Sequence, residues 1–567
     1  MNWGYCSLIV SFFIFSAASS NPLVNTTNGL IEGTYFTTWS GRVICAFLGI
    51  PYADPLKPHE RLQNAKMSMG WAGIYPAKRF SQKCIQIVDD SFYDPVVGGG
   101  DDCLFLNIFT PSVTNTTKLD VVFFIHGGSF MHGSGDLYTP DFLMDRHNIV
   151  FVTVNYRLGP LGFLSTEDEV IPGNLGLKDQ ALALKWVRDN IEYFGGNKKK
   201  ITLLGEDAGA ASVHMHYMSP TTKHLFKQGI SLGGSAFCPW ALSEKPRLKA
   251  ERLARSMRCV NTTSQTILNC FQNYPHNIMM EKVKRLFMPW NSLPFTPFGP
   301  VIEKSRDPFL NDHPHKIIQE NKFKDAPWLV GLTSHEGLYP GAKFAKNHEI
   351  LEELDENWHK IAPFLLDYNH TVPRQMMASV SEKIRQYYFG NGEISAKLRR
   401  EFIEMLGDRF FVADTEKAVR LQASASKSYV FLYRFGYRGR HSKAFSLCGC
   451  KDNMGASHGD DLLYLFKTPG YNVTETKYGE ALMRQMVDII ISFVVNGFPK
   501  VDDNTIWKPV QREAVKGHNI HYMEILTSKN LNFKNSPDLG NRRFWSSLHL
   551  AELHNILGEH KKLYDEL

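Results

Sequence analysis

The segment ITLLGEDAGAASVHMHYM (Ile201–Met218) opens as an apolar run, turns through Gly205-Glu206-Asp207-Ala208-Gly209 and continues as a helical pattern. Strand, glycine-flanked turn and helix together form the context of a nucleophile elbow. Small neighbours there permit a strained turn that pushes its central side chain out above a sheet. The centre in this chain is Asp207. Outward from the elbow, further apolar runs stand at VVFFIH (Val121–His126), IVFVTVNY (Ile149–Tyr156), WLVGLT (Trp328–Thr333) and YVFLYRF (Tyr429–Phe435). They are nearly continuous rather than alternating, as expected of strands covered on both faces of a mostly parallel sheet. Between two of them, DQALALKWVRDNI places Ala181, Leu184, Val187 and Ile191 at helical spacing. The expected fold class is α/β, with a large mostly parallel central sheet flanked by helices. No repeat, Gly/Ser linker or Pro-rich spacer divides residues 21–559, so one domain with inserted loops is expected.

Composition narrows the function classes. The 567 residues are 43% hydrophobic and 21% charged, which supplies a core and excludes a disordered or fibrous chain. A formal charge of +6 is too weak a field at this length to recruit nucleic acid or an anionic membrane. Residues 1–20 hold an apolar run, Leu8 to Phe15, followed by small residues, and read as a signal peptide too short to span a bilayer. No later stretch reads as a membrane span or glycolipid anchor, so a soluble mature protein is expected. The tail, residues 560–567, ends in Tyr564-Asp565-Glu566-Leu567, which differs from an ER-retrieval ending at one position. ER lumen through a retrieval receptor, or secretion, is therefore expected. Sequons at Asn25, Asn115, Asn261, Asn369 and Asn472 fit a glycosylated lumenal protein.

Nine cysteines are present, and Cys6 falls in the leader. The close spacings of Cys84 with Cys103 and of Cys259 with Cys270 suggest two local loops, although spacing alone does not establish connectivity. Cys45 and Cys238 read as buried thiols. Cys448-Gly449-Cys450 is too tight for a zinc knuckle without a second ligand pair. His214 and His216 fall on different faces of one helix and read as packing or solvent-facing residues. Asp312-His313-Pro314-His315 reads as a loop, and Lys198-Lys199-Lys200 as a solvated loop ahead of a strand. No metal or cofactor is expected.

Upstream of the elbow, VVFFI runs into His126-Gly127-Gly128-Ser129-Phe130, a loop of the kind whose N–H groups stabilise an oxyanion. Downstream stand Ser334-His335-Glu336-Gly337 and Ser457-His458-Gly459-Asp460-Asp461. The order elbow, acid, histidine is that of α/β-hydrolases. With FLGIPYA (Phe47–Ala53), DDCLFLNIFTP (Asp101–Pro111), NYRLGPLGFLS (Asn155–Ser165), PGNLGLKDQALALKWVRDNI (Pro172–Ile191), FGG (Phe194–Gly196) and SHGDDLLYLF (Ser457–Phe466), the chain resembles the type-B carboxylesterases, the family of carboxylesterases and cholinesterases. The resemblance covers nearly the whole mature chain and implies an α/β-hydrolase fold. It also implies Glu336 as triad acid, His458 as base, Gly127, Gly128 and Ala208 as the oxyanion region, and disulfides Cys84–Cys103 and Cys259–Cys270. Glu206 resembles the acidic neighbour of the elbow in cholinesterases, where it would tune cationic ligands, and it reads equally as a local hydrogen-bonding group.

Asp207 stands where that family has its nucleophilic serine. A carboxylate has no proton for histidine to remove, and acylation would pass through an anhydride, so ordinary ester turnover is expected to collapse. In ISLGGSA (Ile230–Ala236), Leu232 and Gly233 replace a Gln-Ser pair usual in the family, and Ser129 stands at a usual glycine. The expected function is a carboxylesterase-like pseudoenzyme, a soluble binder of small hydrophobic ligands. The alternative is a hydrolase, either with residual ester hydrolysis or with Asp-nucleophile chemistry of the epoxide-opening kind using His458 and Glu336. Retention of Glu336 and His458 argues against complete decay. Lying between Asp207 and Glu336, His458 is expected to hold its proton and to be a poor base near neutrality.

Overall fold

Alternation inside the apolar runs builds the core. Val121, Phe123 and Ile125 pack on one face of the sheet with Trp186 and Val187, while Val122 and Phe124 pack on the other with Phe466 and Ile490. Both sets are buried, and that is why the run reads as continuous. The computed structural model describes residues 21–88, 96–113, 118–287, 296–448, 452–502, 507–548 and 550. The proposed leader, the Asn115 sequon, Gly449-Cys450 and the chain's last four residues lie outside them.

Among the described residues one sheet has eleven strands. They are β1 (Thr34–Thr37), β2 (Val43–Pro51), β3 (Phe105–Thr110), β4 (Leu119–Ile125), β5 (Val150–Val154), β6 (Gly196–Glu206), β7 (Gln228–Leu232), β8 (Trp328–Thr333), β9 (Val430–Phe435), β10 (Ile520–Thr527) and β11 (Asn530–Ser536). Their spatial order is β11-β10-β9-β8-β7-β6-β4-β5-β3-β2-β1. From β10 through to β5 every neighbouring pair is parallel. The flanking pairs are antiparallel. Helix α1 (Leu175–Asn190) covers one face, and α3 (Lys477–Asn496) covers the other. Helix α2 (Ala208–Met218) follows the elbow and is buried along its whole length. This is the α/β-hydrolase arrangement. Because the central strands are parallel, the loops that leave β4, β6 and β8 all emerge at the same sheet edge, the edge where such sheets place ligands.

Cys84–Cys103 and Cys259–Cys270 are disulfides, as the resemblance implied, and Cys45 and Cys238 are buried free thiols. The three lysines are a correction. Lys198, Lys199 and Lys200 belong to β6, in the stretch between its first contact at Gly196 and the regular pairing that begins at Ile201. That irregular end lets them reach solvent, and Lys198 and Lys200 pair there with Glu192 and Asp120. His214 stacks on Trp328 at 4.2 Å, and His216 bonds Thr222 and Gln180, so both are packing residues. Pro314 opens a short helix, Pro314–Gln319, rather than a loop.

Candidate active site

The elbow is a backbone constraint first. Asp207 has φ 54° and ψ −118°, a strained combination for a residue with a side chain. Its glycine neighbours are required by close approach. A Cβ on Gly205 would meet the Gly209 carbonyl oxygen at 2.2 Å, and one on Gly209 would meet the Ile125 carbonyl oxygen at 2.0 Å. The Asp207 N–H donates to the Leu232 carbonyl at 2.9 Å, and its own carbonyl accepts from Ala211, which fastens the β6–α2 turn against β7.

The loop after β4 winds through three consecutive positive φ values, Gly128 at 101°, Ser129 at 53° and Phe130 at 56°. That course turns the N–H groups of Gly128 and Ser129 onto Asp207. They donate to its Oδ2 at 2.9 and 2.7 Å. Gly127 serves by being small, since a Cβ there would lie 2.3 Å from Glu206 Oε2. Ala208 begins α2 directly behind the elbow. Of the three residues that the resemblance placed in the oxyanion region, Gly128 therefore donates to Asp207, and the second donor is Ser129.

Glu336 sits on the turn after β8. Its Oε1 accepts from the Thr333 N–H at 2.6 Å, and its Oε2 lies 2.6 Å from His458 Nδ1. The two loops are fastened to each other, with His335 N–H donating to the Ala456 carbonyl at 2.9 Å and His335 bridging Ser457. Asp460 closes the histidine turn by accepting from the Ser457 and Lys443 N–H groups. On its other side, His458 Nε2 lies 3.5 Å from Glu206 Oε1 and 3.9 Å from Asp207 Oδ1, and it has no hydrogen-bond partner among the described residues. Phe411 stacks on the imidazole at 4.4 Å and Tyr339 at 5.7 Å. Phe411 is delivered by a π-helical turn, Asp408–Val412, a kind of helix irregularity that is common at functional sites.

Charge governs what this arrangement can do. Burial disfavours the imidazolium, but Glu336, Glu206 and Asp207 together overcome it and hold His458 at about 9, above the ordinary histidine value of 6.5. Burial pushes the Glu206 carboxyl up, opposed by Lys443 and His458. Lys443 Nζ stands 3.7 Å from Glu206 Oε1. Its burial is outweighed by Glu206, Asp460 and Asp461, which keep its pKa above the usual lysine value. The site is thus a compact set of carboxylates around two cations. Among the described residues no group of three or more His, Cys, Asp or Glu is placed to hold a metal ion.

The carboxylesterase family model matches residues 20–545. The chain belongs to the carboxylesterase family. Relatives within it include venom carboxylesterase-6 of Apis mellifera, 39% identical over 97% of this chain and 98% of that protein, and esterase FE4 of Myzus persicae, 35% identical over 89% and 91%. The fold is similar to that of the juvenile hormone esterase of Manduca sexta, solved with OTFP covalently attached, with a TM-score of 0.82 and 24% identity over 93% of this chain and 99% of that one.

For a member of the carboxylesterase family, the sequence named Asp207, Glu336 and His458, and the fold brings those three together. It did not name Ser129 as a donor, Thr333 as the orienter of Glu336, or Lys443 as the partner of Glu206. Ser129 was legible in principle, because it follows two glycines in the oxyanion loop. Lys443 carries no local signal, since its role arises from distant loops meeting. Of the described sequons, Asn25 and Asn472 are exposed, whereas Asn261 and Asn369 are half-buried. Among the described residues no helix is long and apolar enough to cross a membrane.

Proposed function

We propose that this carboxylesterase-family protein lacks serine-type ester turnover and serves as a soluble, lumenal or secreted binder of small hydrophobic ligands. One observation carries the reading. The two N–H groups that would stabilise a developing oxyanion are already engaged by Oδ2 of Asp207. Donors aimed at transition-state charge contribute only if that charge, and not a resident carboxylate, reaches them. The raised pKa of His458 supports the same reading, because a protonated imidazole removes no proton. In this reading Asp207 occupies the place of the nucleophile, residues 1–20 direct export, and the terminal YDEL is read by a retrieval receptor. The test is an activated aryl-ester assay with organophosphate labelling of the purified protein. Turnover at rates typical of enzymes, or stoichiometric labelling, would overturn it.

A second reading has its own support. With Oδ2 held by two N–H donors, Oδ1 of Asp207 is left facing His458 at 3.9 Å. That division of labour suits a carboxylate that attacks an epoxide carbon, breaking its C–O bond while the ring oxygen takes the proton of the His458 imidazolium, followed by attack of water, assisted by the now neutral histidine, on the enzyme ester. Alkylation would remove the charge of Asp207 and lower the proton affinity of His458 at the moment a base is needed. Turnover of a terminal epoxide, with aryl esters untouched, would establish this route in place of the first.

A further inference from the structure

Beside the oxyanion loop, and sharing no residue with Asp207, Glu336 or His458, lies a cavity of about 510 Å³. That volume lies in the range of small-molecule sites. It joins the catalytic constellation through two walls. Thr296 lines it and donates its hydroxyl to the Ser129 carbonyl at 3.2 Å. Phe344 lines it from the segment Leu338–Lys346, which is kinked at Tyr339, the residue that stacks on His458. Apolar side chains, Phe287, Phe344, Ile361, Phe364 and Leu365, make up much of the lining. Phe364, at the rim of this lining, is 63% exposed.

The same cavity is bordered by Lys249, Arg252, Arg285 and Lys360, against a single carboxylate, Asp367. Among the described residues none of the four cations has a carboxylate within 4.0 Å. Lys249 is half-buried, and its Nζ donates to Ser243 Oγ at 3.0 Å. Arg252 lies over the Phe287 ring at 5.1 Å and donates to the Leu286 carbonyl. Lys360 donates to Asn357 Oδ1. The excess positive charge is felt locally. Burial, and then Lys249, Lys245 and Arg252, depress His370 below the ordinary histidine value, with Asp367 opposing. Burial also depresses Lys249, opposed by Asp367 and Glu244. A cation cluster with, among the described residues, no carboxylate within 4.0 Å stands beside apolar walls, and together they suit an occupant with both characters.

We propose that this cavity binds an aliphatic anion, its hydrocarbon chain against Phe287, Phe344 and Phe364 and its anionic head group among Lys249, Arg252 and Arg285. The site does not depend on whether Asp207 is catalytically silent, so its fate and that of the activity reading separate cleanly. Titration calorimetry of the whole protein with decanoate is expected to give saturable one-to-one binding. Decanol, which lacks the charge, and acetate, which lacks the chain, are expected to bind at least about tenfold more weakly. Lys249→Met and Arg252→Gln should each weaken decanoate binding about tenfold, with thermal midpoints close to that of the parent. Phe364→Ser, which changes an exposed side chain, should weaken decanoate and leave acetate unaltered. Equal binding of decanol, or decanoate affinity that survives both cation replacements in folded protein, would overturn the site.

Discussion

His458 Nδ1 and Glu336 Oε2 are 2.6 Å apart, both side chains are buried, and the opposite ring nitrogen of His458 faces two further carboxylates. The consequence is a histidine whose proton is held to about pH 9, even though burial alone would expel it.

A stability–pH relationship follows from that elevation. The folded-state pKa lies above the unfolded value of 6.5, so the stabilisation is fully present below pH 6.5 and is lost as the pH rises towards 9. Its upper bound is roughly 3 kcal/mol. Urea midpoints should therefore fall between pH 6.5 and 9, and fall less in His458→Gln. Side-chain NMR of His458, assigned through that variant, should show imidazolium at pH 7.5. A neutral ring at pH 6 would contradict the charge arrangement.

Asp207→Ser is expected to release the N–H groups of Gly128 and Ser129 and to remove one of the three carboxylates holding the His458 proton. Each freed oxyanion donor contributes on the order of 10²–10³ in rate. Hydrolysis of an activated aryl ester should rise at least about 100-fold over the parent, and an organophosphate should label Ser at 207. Asp207→Asn, which removes the charge without supplying a hydroxyl, should leave the assay silent while shifting His458 downward in an NMR titration.

Much of this site was legible because its parts stand where parallel strands end. Apolar runs such as Val121 to Ile125 announce strands buried on both faces, and glycines announce loops whose backbones must approach closely. The sequence misled at Lys198 to Lys200, where an exposed, irregularly paired strand end has the composition of a loop. It was silent on the π-helical turn that lays Phe411 on His458, because one extra residue in a helix leaves no mark in residue type. It was equally silent on Lys443 and Glu206, whose meeting is decided by how two distant loops pack.

Gly233 shows how one backbone angle limits repair of the site. It has φ 67°, and a Cβ there would meet His458 Cε1 at 2.7 Å and Nδ1 at 2.9 Å. Placing there the serine that the resemblance led one to expect would therefore push the imidazole off Glu336 unless the loop moved. Gly233→Ser is expected to cost roughly 1–3 kcal/mol through crowding and positive φ, read as a lowered urea midpoint at unchanged m. Combined with Asp207→Ser, it should give less ester turnover than Asp207→Ser alone. A double variant more active than the single would mean that the loop adapts.

Lys443 makes the strongest case that this charge cluster is a unit. It contributes the second cation, 3.7 Å from Glu206, and Glu206 is also 3.5 Å from His458 Nε2. Removing one partner of a buried pair leaves the other charge uncompensated, at a cost of about 3–5 kcal/mol when both are fully enclosed. The Lys443 side chain retains 28% exposure, which places Lys443→Met near the lower end of that range. Glu206 would then rely on His458 alone, so the imidazolium should be held more tightly and its NMR titration should move up. Equilibrium unfolding and that titration, measured on the same variant, check both expectations. Replacing Glu206 by Gln in the Lys443→Met background should recover part of the stability, because the carboxylate left without its lysine would no longer be there to neutralise.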